Sequence, residues 1–337
     1  MESPRLGYNL MPTAPVEEEL RRVAREQLDA ASLHLAGAAE GTDPASHVHE
    51  ARKAMKALRA LLRLFRGALV GVGFDREDAA FRHVARLLAS SRERTAAWAA
   101  LAGLAARSTA PAPLWSRARD HLAAVSGGAD AGRPPAGVLA AAAADLAAAR
   151  ERVEGWSLDR DGWSALRRGL KRTYARGRTA LEAARDEPTP ARLHEWRKEV
   201  KYHQHQIRLL RHGWTAALRV RRDALDELGE LLGDDHDLAL LSELLRRTPA
   251  AAALADSELE TILRTLDERR AELERAAFAL GARLYVERPR HLVRRLAAYL
   301  DVGEIGAAAP REASAAAPSS PGGAAHPAAT AAGTKLA

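Results

Sequence analysis

The octet His49-Glu50-Ala51-Arg52-Lys53-Ala54-Met55-Lys56 returns 145 residues later as His194-Glu195-Trp196-Arg197-Lys198-Glu199-Val200-Lys201. Six of the eight positions match: His, Glu, Arg, Lys and Lys are identical, and Met55 and Val200 are both apolar. The register continues, with Arg63 matching Arg208 and Arg66 matching Arg211. At about 100° per residue, His49, Arg52, Lys56, Arg59, Arg63 and Arg66 share a stripe about 100° wide. Met55, Leu58, Leu61, Leu62, Phe65 and Leu69 centre on a face well away from it. The second copy repeats the stripe with His194, Arg197, Lys201, Gln204, Arg208 and Arg211. His205 sits at its edge, and His203 points nearer the core. Gln204 stands where the first copy has Arg59, so an asymmetric site is expected.

The chemistry of such a stripe is anion binding. Arginine forks take phosphate oxygens two at a time, and lysine adds a point charge. Like charges at i and i+4 cost a helix about 0.2–0.5 kcal/mol per pair, and neither stripe interleaves acids, so a partner with closely spaced negative charge would offset the cost. Only six lysines accompany forty-five arginines, yet Lys53, Lys56, Lys198 and Lys201 occupy matched positions. Arg168, Arg172 and Arg176, at i, i+4 and i+8 with Lys171 and Arg178 nearby, are expected to add to the second stripe. Arg82 and Arg86 add to the first.

The elements that must position these residues read as helices. Leu and Ala recur with helical period, and no period-two strand stands out. Helices are expected over 16–40, 45–70, 75–106, 114–126, 137–155, 159–185, 190–212, 214–232, 236–247 and 256–300, the last broken near Pro289. Asp43-Pro44 and Thr189-Pro190 place a capping residue before a proline at the start of each basic helix. A second echo follows, Leu87–Glu93 against Leu231–Asp237, so two halves of one plan are expected, about 15–130 and 137–302. Ser126–Gly137 reads as the linker between them. Residues 1–14 are expected to be flexible, and 303–337, rich in Ala, Pro, Gly and Ser, to form a disordered tail.

Bulk properties agree with an anionic partner without specifying it. The formal charge is +7 and the sequence pI about 10.0. With no cysteine, disulfides, thiolate metal sites and a cysteine nucleophile are excluded. No signal peptide and no membrane-length apolar run stand out, the best candidate, Val138–Ala149, being short and broken by Asp145. The expected location is cytoplasmic.

The segments HVHEARKAMKALRALLRLF, LHEWRKEVKYHQHQIRLL and LGELLGDDHDLALL resemble the CHAD domain, the conserved histidine α-helical domain. The resemblance covers most of residues 15–300. It implies an all-α fold of two four-helix bundles related by a pseudo-twofold axis, with a basic cleft that binds inorganic polyphosphate. It implies phosphate contacts at His49, Arg52, Lys53, Lys56, Arg59 and Arg63, and at His194, Arg197, Lys198, Lys201 and Arg208. The family often has Arg at Gln204 and Tyr at His205, and usually Arg-Asp at Arg92-Glu93. It also suggests association with polyphosphate granules and with polyphosphate-metabolising enzymes. Many relatives carry a catalytic domain ahead of this one; only about fifteen residues precede the first helix here, so no enzyme activity is expected.

Other readings rank behind. Asp234-Asp235-His236-Asp237 precedes an apolar run and reads as a helix cap. His203 and His205 lie about 200° apart on a helix and cannot share a metal, so neither a metal nor a cofactor is expected. Nucleic-acid backbone binding suits the charge, but the stripes carry almost no aromatic residues to stack bases and no groove-reading motif. An acidic protein held by a scaffold would also suit the basic faces. Membrane binding would need a large aromatic face opposite the stripes. Oligomeric state is not written in the sequence.

Overall fold

The computed structural model describes residues 7–12, 14–41, 43–71, 73–126, 134–247 and 254–307. The fold is all-α. The described residues form α1 (Val16–Glu40), α2 (Pro44–Phe65), α3 (Phe74–Leu87), α4 (Ala89–Arg107), α5 (Ala112–Ser126), α6 (Ala136–Val153), α7 (Gly162–Asp186), α8 (Pro190–Leu209), α9 (Thr215–Leu245), α10 (Asp256–Leu284) and α11 (Pro289–Ala307). No helix among them is long and apolar enough to cross a membrane.

Local chemistry explains where the two basic helices begin. Asp43 accepts a hydrogen bond from Ser46 N, and Thr189 from Arg192 N, with Pro44 and Pro190 at the first helical turn. Each side chain satisfies an amide that has no partner inside the helix. Glycine ends α1: Gly41 adopts φ 91°, which a Cβ would oppose.

Three expectations are corrected. The segment 75–106 is two helices, because the helix breaks at Leu88, whose amide donates to Val84 O. The segments 214–232 and 236–247 are one helix, α9, so Asp234–Asp237 is helix interior and not a cap. Asp235 is buried there and takes Arg270 Nε of α10 at 2.8 Å. A short antiparallel sheet of β1 (Leu69–Val70) and β2 (Ser157–Leu158), too brief for period-two patterning, joins the turns after α2 and α6.

The N-terminal segment is ordered where flexibility was expected. Asn9 and Leu10 are buried, Tyr8 Oη donates to Ala57 O at 2.9 Å, and Leu10 N donates to Leu209 O at 2.9 Å. Residues 1–6 and 308–337 lie outside the described residues, and α11 runs past the expected start of the tail to Ala307.

Two apolar clusters hold the helices. One combines residues of α1, α2, α3 and α6 with residues of α7, α8, α11 and the first half of α9, including Met55, Phe65, Tyr174 and Trp196. The other combines Leu101, Leu104 and Trp115 of α4 and α5 with Leu241, Leu245, Ile262 and Leu266 of α9 and α10. The clusters therefore do not divide at the loop after α5. In the first, α2 and α8 pack on each other, and α7 crosses α2 so closely that a Cβ at Gly169 would collide with the Leu64 carbonyl.

Candidate functional site

On α2 the cations are organised by a carboxylate from the next helix. Asp78 of α3, 2% exposed, accepts from Arg59 Nε at 3.0 Å, Arg63 Nη1 at 2.5 Å and Arg82 Nη2 at 2.5 Å. Burial pushes the Asp78 carboxyl up, but hydrogen bonds from Arg63 and Arg59 outweigh it and hold the group well below its usual range. One negative charge thus fixes three guanidiniums, which keep a net positive charge. The Arg63 guanidinium also lies over the Tyr202 ring of α8, 4.1 Å from its centre. Nearer the start of α2, Arg52 donates to Ala85 O at 2.5 Å and Lys53 bridges Glu50 at 2.9 Å. His49 is exposed.

On α8 the cations lie along glycines of α9. A Cβ on Gly229 would stand 2.6 Å from Lys201 Cε and Nζ, and one on Gly233 would stand 2.8 Å from Arg197 Nη2. Glycine inside a helix costs about 1 kcal/mol relative to alanine. Here the missing side chains are what let Lys201 and Arg197 lie flat on the helix. Burial, then the charge of Arg197, pushes the Lys201 ammonium pKa down. Arg208 meets Asp226 at 3.4 Å, Lys198 bridges Glu195 at 2.6 Å, and Arg176 of α7 bridges Glu199 at 2.8 Å.

The absence of acids along each stripe is therefore corrected by the tertiary structure. Asp78 and Asp226 arrive from neighbouring helices and do what interleaved acids would have done.

The histidines differ from one another. His194 packs on His236 with ring centres 4.3 Å apart, and burial, then the His236 charge, lowers its pKa to about 4. His205 is not at an exposed edge: its ring is buried, with Tyr8 edge-on at 5.5 Å. Burial lowers its pKa to about 3, and the charges of Arg208, Lys201, Lys56 and Lys53 act in the same direction. The charges of both α2 and α8 are thus felt at His205. Gln204 is also buried and is not a position on the cationic face. His203, expected near the core, is fully buried and accepts from Arg221 Nε at 3.2 Å.

Of the expected residues, then, Lys53, Lys56, Lys201 and Arg208 act electrostatically on one buried histidine, and Arg59, Arg63 and Arg82 bond one buried aspartate. Arg197 and His194 lie beside α9. Arg86 is exposed on α3, and Arg168 and Arg172 are exposed on α7. The sequence reading missed Asp78, Tyr202, Tyr8, Asp226 and the pair Gly229 and Gly233. Two signals were present: Asp78 and Arg82 at i, i+4, and two glycines at i, i+4 within a continuous apolar pattern. Among the described residues no three of His, Asp and Glu are grouped so as to hold a metal ion.

A search of curated proteins finds no match to the chain. The model of one family, the CHAD domain, matches residues 22–246, from the second turn of α1 to the end of α9 and through both basic helices. With two thirds of its length matched, the chain belongs to the CHAD domain family.

Proposed function

We propose that the chain binds inorganic polyphosphate along α2 and α8, without transforming it. The observation that carries this reading is that α2 and α8 pack on each other and each brings a row of cations, Arg59 and Arg63 on one and Arg197, Lys201 and Arg208 on the other. Membership of the CHAD family is consistent with a polyphosphate-related function. Guanidiniums held by Asp78 and the Lys201 ammonium laid on Gly229 need little reordering when a polyanion arrives, which favours binding. The role is holding rather than cleaving. Asp78, Asp226 and Glu199 are each tied to arginine, which makes these carboxylates counter-charges to the cations. The site of action in this reading is the cytoplasm, on polyphosphate granules, beside enzymes that make or consume the polymer.

Nucleic acid ranks second. Tyr202 is covered by Arg63 and Tyr8 packs on His205, so neither offers an open face to a base.

Replacing Lys56→Ala and Lys201→Ala together is expected to weaken polyphosphate binding on the order of tenfold or more at fixed ionic strength. Unchanged affinity in calorimetric titration overturns the assignment. In the same experiment, single-stranded RNA of equal total charge should bind more weakly than polyphosphate. The reverse order would install the nucleic-acid reading in its place.

A further inference from the structure

A second basic surface lies between α7 and α11. This groove has a volume of about 500 Å³ and is lined by Arg167, Arg168, Lys171, Arg290 and Arg294, with Trp163 and no carboxylate. All five cations are exposed, and none of them bridges an acid among the described residues. The contrast with α2 and α8 is chemical, since there Asp78, Asp226, Glu50 and Glu195 each answer a cation. Of the acids adjacent in sequence, Asp159 pairs with Arg160 at 2.7 Å and acts on Arg168 only at longer range, Asp161 caps α7 by accepting from Gly162 N, and Glu287 pairs with Arg295 at 2.5 Å. Five like charges around one concavity repel one another, and among the described residues none of the five is bridged by a carboxylate.

The groove is joined to the first site by a line of arginines. Arg168, Arg172 and Arg176 stand at i, i+4 and i+8 on α7, about 12 Å from first to last at 1.5 Å per residue. The first is in the groove, and the last reaches Glu199 on α8.

We propose that the α7–α11 groove is a second polyphosphate subsite that extends the first, so that the chain selects long polymers over short ones. This rests on the polyphosphate reading given above. A short oligomer engages one subsite, whereas a long one engages both, and the second contact forms at high effective concentration. An RNA strand would need bases stacked along the path, and the groove supplies a single aromatic ring, Trp163.

The test compares the full chain with the triple variant Lys171→Gln, Arg290→Gln and Arg294→Gln, titrated with tripolyphosphate and with long-chain polyphosphate at one ionic strength. All three side chains are exposed, so the fold should persist, and thermal denaturation checks this. The pair Arg167→Gln and Arg294→Gln repeats the test with a smaller change to α11. The expected result is a loss of long-chain affinity on the order of tenfold, with tripolyphosphate affinity kept within about twofold. If the two affinities fall in proportion, or neither falls, the groove is not a subsite. If the unaltered chain binds neither polymer, the first reading fails instead. If single-stranded RNA displaces long polyphosphate from the unaltered chain but not from the variant, the groove belongs to nucleic acid and the proposal is overturned.

Discussion

A single buried carboxylate sets the geometry of half the cationic face. Asp78 is 2% exposed and joins Arg59, Arg63 and Arg82. Removing one partner of a buried ion pair costs about 3–5 kcal/mol, because the other charge stays behind unpaired. Asp78→Asn keeps an acceptor oxygen, so a loss near the lower end, about 3 kcal/mol, is expected in chemical denaturation. The pH dependence has a definite sign. The folded-state pKa of Asp78 is depressed, so its contribution is fully present above the unfolded value of 3.8 and is lost as pH falls below it toward the folded value. Acid unfolding of the Asn variant should therefore be less steep through that window than that of the unaltered chain. An equal slope would mean that the three arginines, and not their carboxylate, set the local stability.

At the scale of elements, α9 carries two glycines that serve α8. Alanine at Gly229 should favour the helix by about 1 kcal/mol, yet its Cβ would meet Lys201 Cε and Nζ. Those atoms end a flexible side chain and can move aside. Gly229→Ala is thus expected to keep or raise the melting temperature while weakening polyphosphate binding several-fold, on the order of 1 kcal/mol. A variant that melts lower and binds unchanged would show the glycine to be a packing residue only. The break at Leu88 has the opposite role: it divides the segment 75–106 into α3 and α4. That lets α3 present Asp78 to α2 while α4 joins the second apolar cluster.

For the whole molecule, the family match ends at residue 246, yet the fold continues. Phe278 of α10 stacks on Trp196 of α8 with ring centres 5.6 Å apart, and Tyr285 packs on Tyr174 of α7. Ile262 and Leu266 complete the second apolar cluster. A fragment ending at residue 246 would expose this surface and leave α8 without support behind its basic face. It should lack a cooperative thermal transition followed by circular dichroism, whereas the full chain should show one. A fragment that melts cooperatively and binds polyphosphate would assign α10 and α11 a role other than support.

The sequence by itself determined the helices and their chemistry. Leu and Ala periodicity, Asp43-Pro44 and Thr189-Pro190 placed the starts of α2 and α8 to within a residue, because caps and helical period are local properties, whereas α2 ends at Phe65 short of the expected 70, where Leu69 and Val70 pair with β2. Matched His, Arg and Lys positions identified the basic faces for the same reason. What only the tertiary structure decided depends on which helix meets which. Asp78 and Asp226 answer the arginines from other helices, Tyr8 covers His205 from the N-terminal segment, and Gln204 turns out to be buried. The interior position of Asp234–Asp237 in α9 was hidden because acids before an apolar run suit a helix start equally well. The α7–α11 groove was hidden too, since Arg290 and Arg294 lie more than a hundred residues from Arg167 and meet it only through packing. Charge along a helix is written in the chain. Which charges remain without a counter-charge is settled only when the helices pack.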